Sequence, residues 1–101
     1  MGEARPVKLR YTPEAADELE RILDGIAEKS PYGARRIQAR IQAAIERLLE
    51  QPGSGPPTDL RPMRRTLASP YLIFYVATES EIVLVGIRHG ARDPATMPNT
   101  P

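Results

Sequence analysis

The apolar period of this chain changes once, and that change constrains its fold more than any other feature. Ala15, Leu19, Ile22, Leu23, Ile26 and Ala27 recur at i, i+3, i+4 and i+7, which lays one stripe down one face of a helix. Ile37, Ile41, Ala44, Ile45, Leu48 and Leu49 repeat the pattern in a second helix. From Met63 onward the helical period is gone. Met63-Arg64-Arg65-Thr66-Leu67, then Tyr71 to Val76, then Ile82 to Ile87 read as three strands, with turns at Ser69-Pro70 and Thr78-Glu79-Ser80. Upstream of the helices, Val7, Leu9 and Tyr11 alternate with Lys8 and Arg10, the period of a strand with one dry and one wet face. The expected fold class is therefore α+β, with a helical hairpin packed on one face of a mainly antiparallel sheet of about four strands, in the order β-α-α-β-β-β.

The boundaries carry their own chemistry. Thr12-Pro13-Glu14 supplies a capping oxygen, a proline at the first helical position, where no N–H is missed, and an acid at the positive end of the helix dipole. Ser30-Pro31 repeats the cap-then-proline signal directly after Lys29, so the two helices should be antiparallel neighbours. Gln51-Pro52-Gly53 stops the second helix. Residues 52 to 58, Pro-Gly-Ser-Gly-Pro-Pro-Thr, have too little apolar surface to pack and read as a surface loop. A chain of 101 residues suits one domain, so residues 1 to 101 are read as a single unit with loose tails at 1 to 6 and 94 to 101. Four large aliphatic side chains on the first helix would contribute about 6 to 12 kcal/mol if fully buried. The last two strands are apolar on both faces, and a helical hairpin covers only one. The C-terminal tail or a partner chain is expected over the other.

Composition narrows function by exclusion. There is no Cys and a single His, His89, so neither a disulfide framework nor a thiolate metal site is expected, and no metal or cofactor is assigned. The first residues lack the apolar stretch of a signal peptide, and no run approaches the roughly 18 apolar residues needed to cross a bilayer. A cytoplasmic protein with no membrane partner is the expectation. A net charge of +1 gives no reason for strong non-specific binding to nucleic acid. Charge is unevenly distributed, however: Glu14, Asp17, Glu18, Glu20, Asp24 and Glu28 crowd the first helix, and Arg35, Arg36, Arg40 and Arg47 the second. Attraction between the two helices is expected, with each exposed pair contributing little.

One stretch is sharper than its surroundings. Tyr71-Leu-Ile-Phe-Tyr75, followed by Ile82-Val-Leu-Val-Gly-Ile-Arg88-His89-Gly90-Ala91-Arg92-Asp93, resembles the last two strands and the terminal His-Gly-Ala-Arg-Asp signature of ParE-like toxins in the RelE/ParE superfamily. The opening strand running into Thr-Pro-Glu-Ala and the Ser-Pro start of the second helix fit the same layout, and the resemblance spans roughly residues 7 to 94. It implies a bacterial type II toxin held inactive by a cognate ParD-like antitoxin in a hetero-oligomer, with DNA reached only through that antitoxin. Two branches are implied: ParE-like toxins that poison DNA gyrase, and RelE-like endoribonucleases that cleave messenger RNA on the ribosome. The ribonuclease branch usually has Arg directly after the first Tyr of the Tyr-x-x-x-Tyr strand, another Arg after the His-like position, and a later Tyr. Here those places hold Leu72, Gly90 and Thr96. Loss of one acid or base costs on the order of a hundredfold to ten-thousandfold in rate, so the gyrase branch is preferred, the endoribonuclease is the alternative, and no catalytic residue is assigned. A binding module that has lost toxicity is a further rival.

The residues assigned to antitoxin or target binding are Arg64, Arg65, Tyr75, Arg88, His89 and Arg92, read as a cationic cluster at one end of the sheet. Arginine suits bidentate contact with carboxylates or phosphates. Each has a plainer alternative. A lone His is more often a hydrogen-bonded structural residue than a base. Against a contact of Arg88 and Arg92 with a partner, Arg92 can instead pair with Asp93 or a helix acid and tie down the strand end. Arg64 and Arg65 fall on opposite faces of a strand, so at most one shares a surface with Arg88. Tyr71 and Tyr75 share a face and suit the core with hydroxyls at its rim. Arg35, Arg36 and Arg40 read as a solvated helix side.

Overall fold

A computed structural model describes residues 8–52, 58 and 62–90. The elements follow the expected order: β1 (Lys8–Tyr11), α1 (Pro13–Lys29), α2 (Pro31–Glu50), β2 (Arg64–Ala68), β3 (Tyr71–Ala77) and β4 (Glu81–His89). The four strands form one sheet in the order β1-β4-β3-β2. β2, β3 and β4 make an antiparallel meander, and β1 joins the outside of β4 in parallel, Lys8 opposite Glu81 and Tyr11 opposite Leu84. The sheet is thus mixed and mainly antiparallel, with both helices on one face.

The helix boundaries follow from local chemistry. The Thr12 hydroxyl accepts from Ala15 N at 3.1 Å and starts α1. Ser30 serves both helices at once: its backbone N–H donates to Ile26 O to close α1, and its hydroxyl accepts from Gly33 N at 2.9 Å to open α2. One residue between two helices forces a tight antiparallel hairpin.

The core lies between this hairpin and the sheet. Ile41, Ala44, Ile45 and Leu48 of α2 and Ala15 of α1 meet Ile73, Tyr75, Ile82, Leu84 and Ile87. α2 is seated more deeply than α1, whose Leu19, Ile22 and Ile26 are only partly buried against that core. Full burial of the α1 stripe was the sequence-based expectation, and because these side chains are only partly buried the stripe contributes less than the about 6 to 12 kcal/mol of full burial. Ile22 and Ile26 of that stripe face a cleft beside the end of β4.

The opposite face of the sheet carries a second apolar cluster of Met63, Phe74, Val83 and Val85, with Leu72 and Val76 against it. No described helix lies over this face. The expectation that the C-terminal tail covers it falls on residues outside those described, as do the two tails themselves and most of the loop at 52 to 58.

A break in register between β3 and β4 sets up the functional end of the sheet. Phe74 pairs with Gly86 but Tyr75 pairs with Leu84, so Val85 is an extra residue on β4. The bulge shifts the alternation, and Leu84 and Ile87 both face the helices although they are three residues apart. Simple alternation from Ile82 would have turned Ile87 to the other face.

The oppositely charged helices do not attract each other through ion pairs. Among the described residues, the ion pairs are Arg10 with Glu81 and Arg88 with Glu18. The α2 arginines instead reach the sheet or an aromatic ring. Arg40 donates to Ser69 O at 3.0 Å and Arg47 to Leu67 O at 3.4 Å, while Arg35 and Arg36 hold their guanidinium carbons 5.9 and 5.8 Å from the Tyr32 ring centre.

Candidate partner-binding site

β4 outruns its neighbour. β1 ends at Tyr11 opposite Leu84, with Thr12 N donating to Leu84 O, and no described strand flanks residues 85 to 89 on that side. The exposed backbone is covered by α1. Ile87 N donates to Glu18 Oε1 at 2.9 Å, the Arg88 guanidinium pairs with Glu18 Oε2, and the same guanidinium nitrogen donates to Ile87 O at 3.3 Å. Glu18 and Arg88 together close a ring over both hydrogen-bonding groups of Ile87. Their side chains are 27 % and 18 % exposed, so the pair is screened less than one at the protein rim.

Beyond this ring the sheet end and the C-terminal half of α1 enclose a cleft of about 690 Å³. Ile22, Ile26, Ile87 and Tyr71 give it apolar walls, and Arg21, Lys29, Arg88 and His89 bring cations or a titratable ring to it. Glu18 is the one carboxylate among its described lining residues, and it is already engaged. His89 stands across from Tyr71 in the sheet and meets its ring edge to face, centroids 5.2 Å apart and planes at 81°. This arrangement can recognise an anionic, partly apolar surface. Among the described residues no group of three or more His, Asp and Glu is placed to hold a metal ion, and no helix there is long and apolar enough to cross a membrane.

The six assigned binding residues do not form one cluster. Arg88 and His89 line the cleft. Arg64 pairs with Tyr75, whereas Arg88 pairs with Leu72, three residues along β3. That is about 10 Å along and two strand spacings of about 4.8 Å across, or roughly 14 Å between the two arginines. Arg64 lies on the helix face with Tyr75, and Arg65 opposite Phe74 on the other, where it is exposed. Tyr75 is fully buried, and its hydroxyl donates to Pro52 O at 3.0 Å. It anchors the end of α2 and presents no surface to a partner. Arg92 lies outside the described residues.

Sequence reasoning missed Glu18, whose partners Ile87 and Arg88 lie 69 and 70 residues away. It also missed Arg21, Gly25 and Lys29 on the same side of α1. A signal for the site was present in Gly86, since an isolated glycine inside a strand often marks a bulge.

Comparison with known proteins agrees with this fold. The family described as ParE toxin of type II toxin-antitoxin system, parDE, matches residues 9–94. Toxin RelE2 of Caulobacter vibrioides is 32% identical over 82 residues, covering 81% of this chain and 93% of that protein. The Sinorhizobium fredii protein Y4kP is 33% identical over 85 residues, covering 81% of this chain and 88% of the other. A chain from the chromosomal ParDE TA system of P. aeruginosa shares the fold at a TM-score of 0.71 and 21% identity, over 83% of this chain and 96% of that one. With the family's match running from β1 through the end of β4, this chain belongs to the ParE toxins of type II toxin-antitoxin systems.

Proposed function

We propose that this chain is a single-domain toxin that acts in the cytoplasm by inhibiting DNA gyrase and is neutralised in a hetero-oligomer by a cognate ParD-like antitoxin. DNA is met only through that antitoxin, and the toxin works by gripping other proteins. The observation that carries this reading is the cleft at the end of β4, with apolar walls, a cationic lining and its one described carboxylate already engaged. Such a surface favours an anionic protein segment through both charge and apolar contact. The parDE designation of the family supports the gyrase branch by analogy. So does the residue at the first position where the ribonuclease branch carries an arginine. Leu72 packs there against the apolar cluster of the face away from the helices.

Purified protein should block gyrase supercoiling or trap gyrase-cleaved DNA, and should leave messenger RNA intact in a ribosome-containing extract. His89→Ala should weaken the gyrase effect about tenfold or more, the range for losing a well-placed interface contact. Cleaved messenger with unaffected gyrase would transfer the chain to the endoribonuclease reading, to which the name of its relative Toxin RelE2 points. Neither effect, together with tight antitoxin binding, would leave a binding module without toxicity.

A further inference from the structure

The Glu18–Arg88 ring occupies the positions that an incoming strand would use. In an antiparallel sheet, alternate residues turn both N–H and C=O away from their neighbour. Ile87 does so here, on the side of β4 that β1 leaves uncovered. A strand end with two free backbone groups is a template for pairing, and proteins commonly blunt such an end with charged side chains. In this chain the blunting is done by a carboxylate that is also the ion-pair partner of the adjacent arginine.

Gly25 supplies a second, independent observation. It sits in the interior of α1, where glycine costs about 0.5 to 1 kcal/mol relative to alanine. Its backbone is ordinary, since among the described residues no glycine has positive φ. No packing demands it either, because a Cβ built there meets nothing within 4 Å. Yet Gly25 lines the cleft, and the space left by its missing side chain adds to that cleft.

We infer that the cleft receives an extended acidic segment of a protein partner, which adds to the β4 edge at Ile87 and displaces Glu18, its own carboxylate taking Arg88 and an apolar side chain entering beside Gly25. Glu18 is then a built-in competitor that occupies the partner's place in the free chain. Charge selects the occupant: Arg21, Lys29 and Arg88 surround the cleft, and ejecting Glu18 leaves Arg88 to be satisfied by an acid. The volume of about 690 Å³ lies within the range of pockets that enclose a ligand. This deepens the reading of the chain as a toxin that binds other proteins, and rests on it.

The test uses the full chain and a fluorescein-labelled, end-blocked heptapeptide alternating glutamate and valine, beside a counterpart with lysine for glutamate. By fluorescence anisotropy the acidic peptide should bind about tenfold or more tighter than the basic one. Glu18→Gln removes a like charge and should tighten acidic-peptide binding by roughly up to fivefold. Gly25→Leu should weaken binding about tenfold or more while leaving the melting temperature unchanged or raised, a combination that simple loss of structure cannot produce. In Glu18→Ala, the Ile87 amide should exchange with solvent at least about tenfold faster than in the parent chain, and slow again at saturating peptide. Equal affinity for the two peptides, undiminished affinity in Gly25→Leu, or an Ile87 amide that stays fast in the saturated complex would each overturn the inference. If gyrase inhibition persists while the peptide results fail, only the docking site is lost. If the peptide results hold while gyrase is untouched, only the target assignment is lost.

Discussion

Glu81 and Arg10 meet side by side on the parallel β1–β4 pair, with Arg10 Nε 3.3 Å from Oε1 and Nη2 3.1 Å from Oε2. The fork holds the Glu81 carboxyl below the usual carboxylate range, chiefly through the hydrogen bonds from Arg10 and then through its charge and that of Lys8. The guanidinium is raised in turn by the same contacts. Because the folded value of Glu81 is lowered, its contribution is present above the unfolded value of about 4.3 and is lost as pH falls through the lower folded value. The carboxyl carbon of Glu81 should therefore titrate below the free-glutamate midpoint by NMR, and Arg10→Gln should bring that midpoint back up. A midpoint unchanged by Arg10→Gln would mean that the fork is not formed in solution. Tyr11, next along β1, is pushed the other way, because burial disfavours its phenolate. Residue chemistry of this kind was only partly legible in the sequence. Lys8 and Arg10 were readable as the wet face of a strand, but their partner follows from the parallel pairing of β1 with β4, which local periodicity does not specify. Glu18 was hidden for the same reason: on a helix rich in acids, only the tertiary approach of the β4 edge singles it out.

At the scale of elements, α1 and α2 carry nearly the same sequence pattern and are seated differently. Leu48 is completely buried in the main core, while Leu19 is only partly buried against it. Leu48→Ala should cost about 2 to 5 kcal/mol and Leu19→Ala clearly less, read from urea midpoints at constant slope. Equal costs would show that Leu19 packs as tightly as Leu48. Ser30→Ala removes the hydroxyl that caps α2 and should cost about 1 kcal/mol, leaving the Ser30 backbone bond that closes α1 in place. The helices were legible almost to the residue because both begin with a hydroxyl and a proline, signals that depend on a few neighbouring residues. The depth of each helix was not legible, since the stripe fixes which face turns inward and says nothing about how far the sheet extends beneath it. The bulge at Val85 was also missed: it makes Ile87 a core residue and turns its backbone to the open edge, a consequence of pairing with β3 that β4 alone does not encode.

For the whole molecule, the described arginines among those assigned, Arg64, Arg65 and Arg88, do not share one surface, because chain order does not reveal strand order. β2 lies at the far edge, two strands from β4, and its register places Arg64 well away from Arg88. That far edge is a liability of its own. Among the described residues β2 has no outer neighbour in the sheet, and Leu67 on it is 58 % exposed. Open edges with apolar side chains invite pairing with a second copy. α2 counters this by sending Arg47 to Leu67 O and Arg40 to Ser69 O. Each bond is exposed and contributes little to folding, on the order of 1 kcal/mol or less. Their larger effect is on solubility, because they place two positive charges against an edge that would otherwise pair with its like. Changing Arg40→Ala and Arg47→Ala together should leave the unfolding midpoint within about 1 kcal/mol of the parent. It should also produce a concentration-dependent rise in weight-average mass by sedimentation, one that adding Leu67→Lys suppresses. If the double variant stays monomeric at concentrations where the parent does, the arginines do not guard that edge. The uncovered end of β4 and the edge of β2 would then differ in kind, the first closed by an acid that an acidic partner can replace, the second left to its own short length.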